Sequence, residues 1–308
     1  MKMNTSIAFL GLGHMGAPMA LNLVKAGYTV TGFDLVSAAM GAARESGLAV
    51  AETAADAVAD ADVVITMFPG GRHVIDAYSG SAETPGLLSV AKPGTLFIDS
   101  STIAVEDARR AHDLALEAGQ LSVDAPVSGG VVGAVAGTLA FMVGASAADF
   151  AVAEPILATM GARIVHCGDS SAGQAAKVCN NLILGISMIA VSEAFVLGEK
   201  LGLTHQALFD VASNASGQCW ALTTNCPVPG PVPASPANRD YQPGFSGALM
   251  AKDLGLAEQA FESVGVHAEV GSLASEMYRR FAAGDGATLD FSAIINDIRS
   301  RSHEKDAA

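Results

Sequence analysis

The chain predicts an α/β protein, with a doubly wound parallel sheet in its first half and helices alone in its second. Three observations carry that prediction. Apolar runs of strand length alternate with helical stretches up to residue 168, one long apolar helix follows, and no clear strand comes after it.

Taken in order, Ser6–Leu10 reads as a buried strand, and Gly11-Leu12-Gly13-His14-Met15-Gly16 turns it into a helix. Tyr28–Phe33 is the second strand and delivers Asp34 at its end, before an Ala-rich helix over 37–46. Val63–Phe68 is a wholly apolar strand closed by Pro69-Gly70-Gly71, with a helical segment over 72–79. Thr95–Asp99 is another buried strand, ending in Ser100-Ser101-Thr102. A helix over 105–118 leads through Gly119 to Ser122-Val123-Asp124, and Thr138–Val143 and Ile164–Cys167 supply later strands. Such alternation requires a parallel sheet covered by helices on both faces.

Near Gly168 the pattern changes. Residues 172–201 form one long helix, interrupted only by Gly185 and Gly198, and its apolar character all round suits an interdomain helix. Segments of helical period follow over 204–215, 247–264, 268–283 and 291–301. The stretch Cys226–Pro233, with a proline at 227, 229, 231 and 233, excludes helix and central strand. The expected division is a dinucleotide-binding domain over 1–168 and an all-α domain, including the long helix, over 169–308.

The first loop carries the clearest chemistry. Gly11 allows a tight turn, Gly13 lets a pyrophosphate approach the backbone, and Gly16 brings helix and strand together. N–H groups at the helix start and the positive end of its dipole then face the phosphates. Asp34, 18 residues beyond Gly16, is placed to accept from a ribose 2′-OH and repels a 2′-phosphate. With a strand before it and a helix after it, the loop predicts a Rossmann-type domain that binds NAD rather than NADP through Gly11, Leu12, Gly13, His14, Met15, Gly16 and Asp34.

Composition narrows the function. The 308 residues are 50% hydrophobic and 16% charged, which suits a globular enzyme of about two domains. A formal net charge of −14 without a basic run excludes a nucleic-acid partner but admits a small anionic substrate, given a few cations in one cleft. Cys167, Cys179, Cys219 and Cys226 form no CxxC pair and no zinc-spaced cluster, so no metal site is expected. Reduced, mostly buried thiols and a cytoplasmic location are expected instead. Met1-Lys2 and the apolar stretch after it imitate a signal sequence, but that stretch carries the glycine loop. The run Leu182–Ser192 stops at Glu193, too short to span a bilayer, so no membrane partner is expected.

Ligands of open α/β sheets bind outside the carboxyl ends of the strands. Phe68–His73 is suited to line the adenosine and the nicotinamide ribose, and Ser100–Thr102 offers hydroxyls. Ala125–Gly130 reads either as a plain turn or as a backbone nest for a carboxylate. Lys177 and Asn181 lie four apart on one face of the long helix. A lysine in so apolar a helix either snorkels to solvent or is used. If used, burial and the nicotinamide charge draw its pKa toward neutrality and fit it to take a hydroxyl proton. Lys252 contacts cofactor or substrate, or pairs with Asp253. Trp220 walls a pocket or belongs to the core. Among seven histidines no base stands out: His14 lies in the phosphate loop, and His112 and His267 read as surface helix residues.

These motifs together resemble the β-hydroxyacid dehydrogenases over nearly the whole length. The resemblance rests on Phe9–Met19, Asp124–Gly130, Gly173–Asn181 and Met250–Ala257, and the stretch Cys219–Phe245 is similar to the hydroxyisobutyrate branch. It implies that Lys177 is the catalytic acid/base and that Asn181 helps hold the substrate. Ser128, Gly129 and Gly130 are implied to bind the substrate carboxylate, while Phe68, Pro69, His73, Thr102 and Lys252 line the cofactor site. Phe68 stands where such enzymes usually carry Leu, and His73 where Asn is common; both concern adenosine-side contacts. The irregular segment 233–240 includes Arg239, which can add a charge near the pocket.

The implied reaction is oxidation of a small 3-hydroxy acid, 3-hydroxyisobutyrate to methylmalonate semialdehyde, in valine breakdown. The nearest alternative is reduction of a related semialdehyde such as tartronate semialdehyde. A catalytically silent NAD-binding protein is the alternative of another class, and Lys177 and Asn181 in register speak against it. So apolar a helical domain also predicts a homo-oligomer, a dimer or a tetramer.

Overall fold

Strand β1 (Ser6–Leu10) is buried from Ile7 onward and alternates between two cores, as a central strand covered on both faces must. Ile7 and Phe9 pack with Met19, Ala20 and Leu23 on one face, while Ala8 and Leu10 pack with Val74, Tyr78 and Ala111 on the other. The computed structural model describes residues 5–304; Met1 and Lys2 of the signal-like start lie outside them.

After β1 come α1 (Gly16–Lys25), β2 (Thr29–Phe33), α2 (Ser37–Glu45), β3 (Ala49–Val50) and α3 (Ala54–Val58). Next are β4 (Val63–Thr66), α4 (Gly71–Ser79), α5 (Leu87–Val90), β5 (Leu96–Asp99), α6 (Val105–Glu117) and β6 (Leu121–Asp124). The sheet region closes with β7 (Val127–Ser128), α7 (Gly130–Ala136), β8 (Leu139–Gly144), α8 (Ala147–Leu157) and β9 (Gly161–Gly168).

Spatial order is β3-β2-β1-β4-β5-β6-β8-β7, with β9 on β8. The first six strands are parallel, and strand order reverses between β1 and β4, the switch point at which doubly wound sheets bind ligands. One feature departs from the all-parallel expectation: β8 runs antiparallel to β6 and β7. Only residues 129–138 separate β7 from β8, fewer than the dozen or more that a parallel crossover needs, so the chain turns back on itself. Helices α3, α5 and α7 are too short to leave a period in the sequence, and α8 is apolar on most sides.

The chain divides into two units, Met1–Lys177 and Val178–Ala308. Helix α9 (Ala172–Lys200) begins in the first unit and continues in the second. The second unit adds α10 (His205–Ala212), α11 (Trp220–Thr223), α12 (Gly247–Val264), α13 (Glu269–Ala282) and α14 (Ile294–Glu304), with no strand among its described residues. Its core gathers Met188, Phe195, Met250, Leu254, Tyr278 and Phe291. Gly185 lets α9 approach α12, since a Cβ there would stand 3.0 Å from Leu254. By length and composition α9 could cross a membrane (mean hydropathy 1.8). Half of that apolar window is buried within the protein, as in the core helix of a globular domain.

Asp290, which is fully buried, ties Asn225, just before the proline-rich stretch, to Gly244 and Phe245 beyond it. Its Oδ1 accepts from Asn225 Nδ2 at 3.1 Å and from Ser292 N and Oγ, and its Oδ2 accepts from the N–H groups of Gly244 and Phe245. The Tyr241 hydroxyl donates to Pro227 O at 2.8 Å. Removing one acceptor strands five donors in low dielectric, so Asp290→Ala is expected to lower unfolding free energy by about 3 kcal/mol. A urea midpoint equal to the wild type's would contradict this.

All four cysteines are free, but only Cys226 is buried; Cys167 and Cys219 are half-buried and Cys179 is exposed, which corrects the expectation of mostly buried thiols. His112 is half-buried rather than a surface residue, and His267 is exposed in the loop before α13.

Candidate active site

Register aligns the carboxyl ends of five strands in one row: Phe33, Leu10, Thr66, Asp99 and Asp124 are successive neighbours across the sheet. The ladder runs one residue further. The N–H groups of Gly11, Met67, Ser100 and Ala125 donate to Phe33, Leu10, Thr66 and Asp99 at 2.7–2.9 Å. Every loop singled out in the first half of the sequence therefore leaves the sheet at one level.

Gly11 has φ of 93°, and a Cβ on Gly16 would overlap the Gly11 carbonyl, so the turn needs both glycines. Leu12 points its side chain into the core and donates its N–H to Asp34 Oδ2 at 2.7 Å, while Val36 N donates to Oδ1 at 2.8 Å. Two backbone donors thus orient the Asp34 carboxylate beside the glycine loop. Gly13 and His14 are exposed, a Cβ at Gly13 would meet no atom within 4 Å, and α1 starts without a side-chain cap. Open backbone at a helix start next to a fixed carboxylate fits the pyrophosphate and ribose of NAD.

The next two loops are tied together beneath the surface. Asp99 Oδ1 accepts from Thr66 Oγ1 at 2.7 Å and Ser101 Oγ at 2.6 Å, and Ser101 Oγ accepts from Phe68 N at 2.7 Å. Ser100 and Ser101 are buried, so of the three hydroxyls expected to face a ligand only that of Thr102 is partly exposed. Phe68 is half-buried, and Pro69 and His73 are exposed at the mouth of the β4–α4 loop.

Beyond β6, Ser128 is half-buried, and Gly129 and Gly130 take φ of 131° and 61°, backbone of the kind that forms anion nests. The Asp124 carboxylate turns toward the start of α9, accepting from Ser171 N at 2.7 Å and Gln174 N at 2.8 Å. Burial pushes the Asp124 carboxyl up to about 6; those two backbone bonds act in the opposite direction, and the Asp99 charge adds to the rise. Because the folded value exceeds the unfolded one, the native state is favoured most below pH about 4 and loses that advantage as pH rises through about 6. Ionised Asp124 costs the fold about 3 kcal/mol at neutral pH.

Lys177 stands in the second turn of α9 and is only 6% exposed, so the expectation of a lysine held inside an apolar helix, rather than snorkelling, describes it. Asn181, one turn on and buried, donates through Nδ2 to Asp253 Oδ2 at 2.5 Å, which fixes its carboxamide. Lys252 beside it is half-buried. Trp220 is 52% exposed and is not core. Arg239 ends a short 3-10 turn (Pro236–Arg239) and is exposed.

Sequence reasoning assigned no role to Asp99, Asp124, Ser171 or Gln174. The available signal was a carboxylate closing an apolar strand, at 99 and again at 124, since a buried charge demands several donors.

Comparison with known proteins shows the family. Residues 6–168 match the family described as the NAD binding domain of 6-phosphogluconate dehydrogenase. Residues 171–298 match that described as NAD-binding of NADP-dependent 3-hydroxyisobutyrate dehydrogenase. Fold and site thus define an NAD-dependent oxidoreductase. The chain is 57% identical to the probable 3-hydroxyisobutyrate dehydrogenase of Mycobacterium tuberculosis, over 96% of this chain and 99% of that one. A solved structure of the Mycobacterium tuberculosis 3-hydroxyisobutyrate dehydrogenase with L-serine superposes with a TM-score of 0.91 at 57% identity, covering 96% and 99% of the two chains. The NAD-dependent L-serine dehydrogenase of Pseudomonas aeruginosa is 47% identical over 94% of this chain and 96% of its own. The chain belongs to the 3-hydroxyisobutyrate dehydrogenase family.

Proposed function

We propose that this enzyme oxidises 3-hydroxyisobutyrate to methylmalonate semialdehyde, the oxidative step on this acid in valine breakdown. The observation that carries the reading is the buried Lys177, in the same unit as the glycine loop, Asp34 and the Ser128–Gly130 backbone. Identity of 57% over nearly the full length of a relative named for that substrate supports it.

In this reading the Ser128 hydroxyl and the N–H groups of Gly129 and Gly130 hold the substrate carboxylate. Asn181 donates to the substrate from the same face of α9 as Lys177. Neutral Lys177 takes the hydroxyl proton at Nζ as the carbon–oxygen bond becomes a carbonyl. NAD, when bound, accepts the hydride leaving that carbon. Gly11–Gly16 and Asp34 hold the cofactor, with Phe68, Pro69, His73 and Thr102 beside it; family likeness alone assigns Lys252 to the cofactor and Trp220 to the substrate. Because the amine works deprotonated, the oxidation rate rises with pH.

L-Serine is a second substrate in this reading. It shares the carboxylate and the 3-hydroxyl, and both the bound ligand of one similar structure and the name of another relative point to it. A spectrophotometric screen of 3-hydroxyisobutyrate, L-serine, 3-hydroxypropionate and, in reverse, tartronate semialdehyde, with NAD and NADP separately, tests the assignment. The highest kcat/KM is expected for 3-hydroxyisobutyrate with NAD. No NADH formation from any 3-hydroxy acid would refute an enzymatic role.

The enzyme is further read as a cytoplasmic homo-oligomer, a dimer or tetramer. Ile183, Leu197, Leu201, Val264, Val270 and Leu273 in the second unit are exposed apolar side chains that a second copy would cover. Light scattering on the purified protein should give a mass at least twice that of one chain; a monomer would refute it.

A further inference from the structure

The first turn of α9, one turn before Lys177, is held by a carboxylate at the end of β6. Ser171, immediately before α9, has φ of 69°, a left-handed conformation that strains a residue with a Cβ. Asp124 fixes it: one carboxylate oxygen takes the Ser171 N–H and the other the Gln174 N–H, bracketing the first turn. Packing leaves that carboxylate no freedom, because a Cβ on Gly144 would overlap Asp124 Oδ1 and one on Gly173 would lie 2.7 Å from Oδ2. Gln174, itself fully buried, extends the grip to the next loop. Its Nε2 donates to Ser101 O at 2.7 Å and its Oε1 accepts from Ile103 N at 3.2 Å, on either side of Thr102.

Lys177 follows Gln174 by three residues, about 4.5 Å along the helix. Asp124 is also the residue from which the Ala125–Gly130 loop departs. We propose that Asp124 is a positioning residue for the reaction, registering the Lys177 amine against the loop that its own backbone begins. This rests on the reading of Lys177 as the acid/base. Burial penalises the ionised carboxylate, and its two backbone bonds favour it. What it adds is two charge-assisted, directional bonds to the helix start.

The titratable groups facing Asp124 are Asp99 on β5, Tyr78 on α4, His112 on α6 and Cys167 on β9. In the direction of semialdehyde reduction Lys177 works protonated, so its own titration removes rate on the alkaline side. An acid limb in that direction that His112→Gln retains and Asp124→Asn removes reports Asp124. In the full-length enzyme with NADH and methylmalonate semialdehyde, kcat should fall below pH about 6 while NADH affinity holds.

Asp124→Asn should lower kcat by about tenfold or more at pH about 8, abolish the acid limb and leave the NADH Kd within about twofold. His112→Gln should retain the limb. Should Asp124→Asn not fold, the wild-type acid limb, retained in His112→Gln and with NADH affinity constant across it, carries the test. Wild-type kcat in Asp124→Asn, loss of NADH affinity in parallel with kcat, or a wild-type profile without an acid limb would overturn the proposal. If instead Lys177→Ala keeps its turnover, the reading of the lysine fails, whatever Asp124 does.

Discussion

Lys177→Ala is expected to lower kcat for 3-hydroxy acid oxidation by about 10²- to 10⁴-fold, the usual contribution of a positioned acid or base. Its cofactor affinity should stay near that of the wild type, because the glycine loop and Asp34, which hold NAD in the proposed reading, are remote in sequence from α9. Lys177→Arg should not restore activity: a guanidinium stays charged and cannot take the hydroxyl proton. Steady-state rates together with NADH fluorescence titration check both halves. Turnover within a fewfold of wild type in Lys177→Ala would remove the amine from the chemistry. Loss of NADH binding in parallel would make the residue structural.

In the proposed reading Asp34 governs which dinucleotide is used. Its carboxylate is already oriented by the Leu12 and Val36 N–H groups, so ribose hydroxyls meet a fixed acceptor at no further ordering cost. Asp34→Ser removes the charge-assisted bonds, worth about 1.5–3 kcal/mol, and should raise the NAD KM by about 10- to 150-fold. It also removes the repulsion that excludes a 2′-phosphate. Adding Leu35→Arg, at an exposed position beside it, should therefore bring kcat/KM with NADP to or above that with NAD. An unchanged cofactor ratio in the double variant would mean that another residue reads the ribose.

The cofactor side was legible in the sequence because its parts are local. A strand, a glycine turn, a helix and a carboxylate follow one another within Ser6–Asp34, and each has its own physical signature. The parallel run of β1, β2, β4, β5 and β6 followed from the same alternation, while β3, two residues long, left no signal. What escaped was set by distant partners or by short segments. The return of β8 depends on the length of the β7–β8 connection, and α7 is too brief to leave a period. Ser100 and Ser101 looked like ligand hydroxyls, yet Asp99 and Phe68 turn the Ser101 hydroxyl inward. Asp124, Ser171 and Gln174 could be read only singly. Their meaning lies in bonds between residues 47 and 50 positions apart. Lys177 and Asn181 were visible as a helical pair, while the Asp253 carboxylate that fixes Asn181 was seen only as a neighbour for Lys252.

A ternary structure with NAD and 3-hydroxyisobutyrate tests the central claim most directly. The account predicts Lys177 Nζ within hydrogen-bond reach of the substrate hydroxyl, about 2.6–3.2 Å, with the substrate carboxylate on Ser128–Gly130. An amine turned from the hydroxyl, with another group or only solvent placed to take its proton, would contradict it.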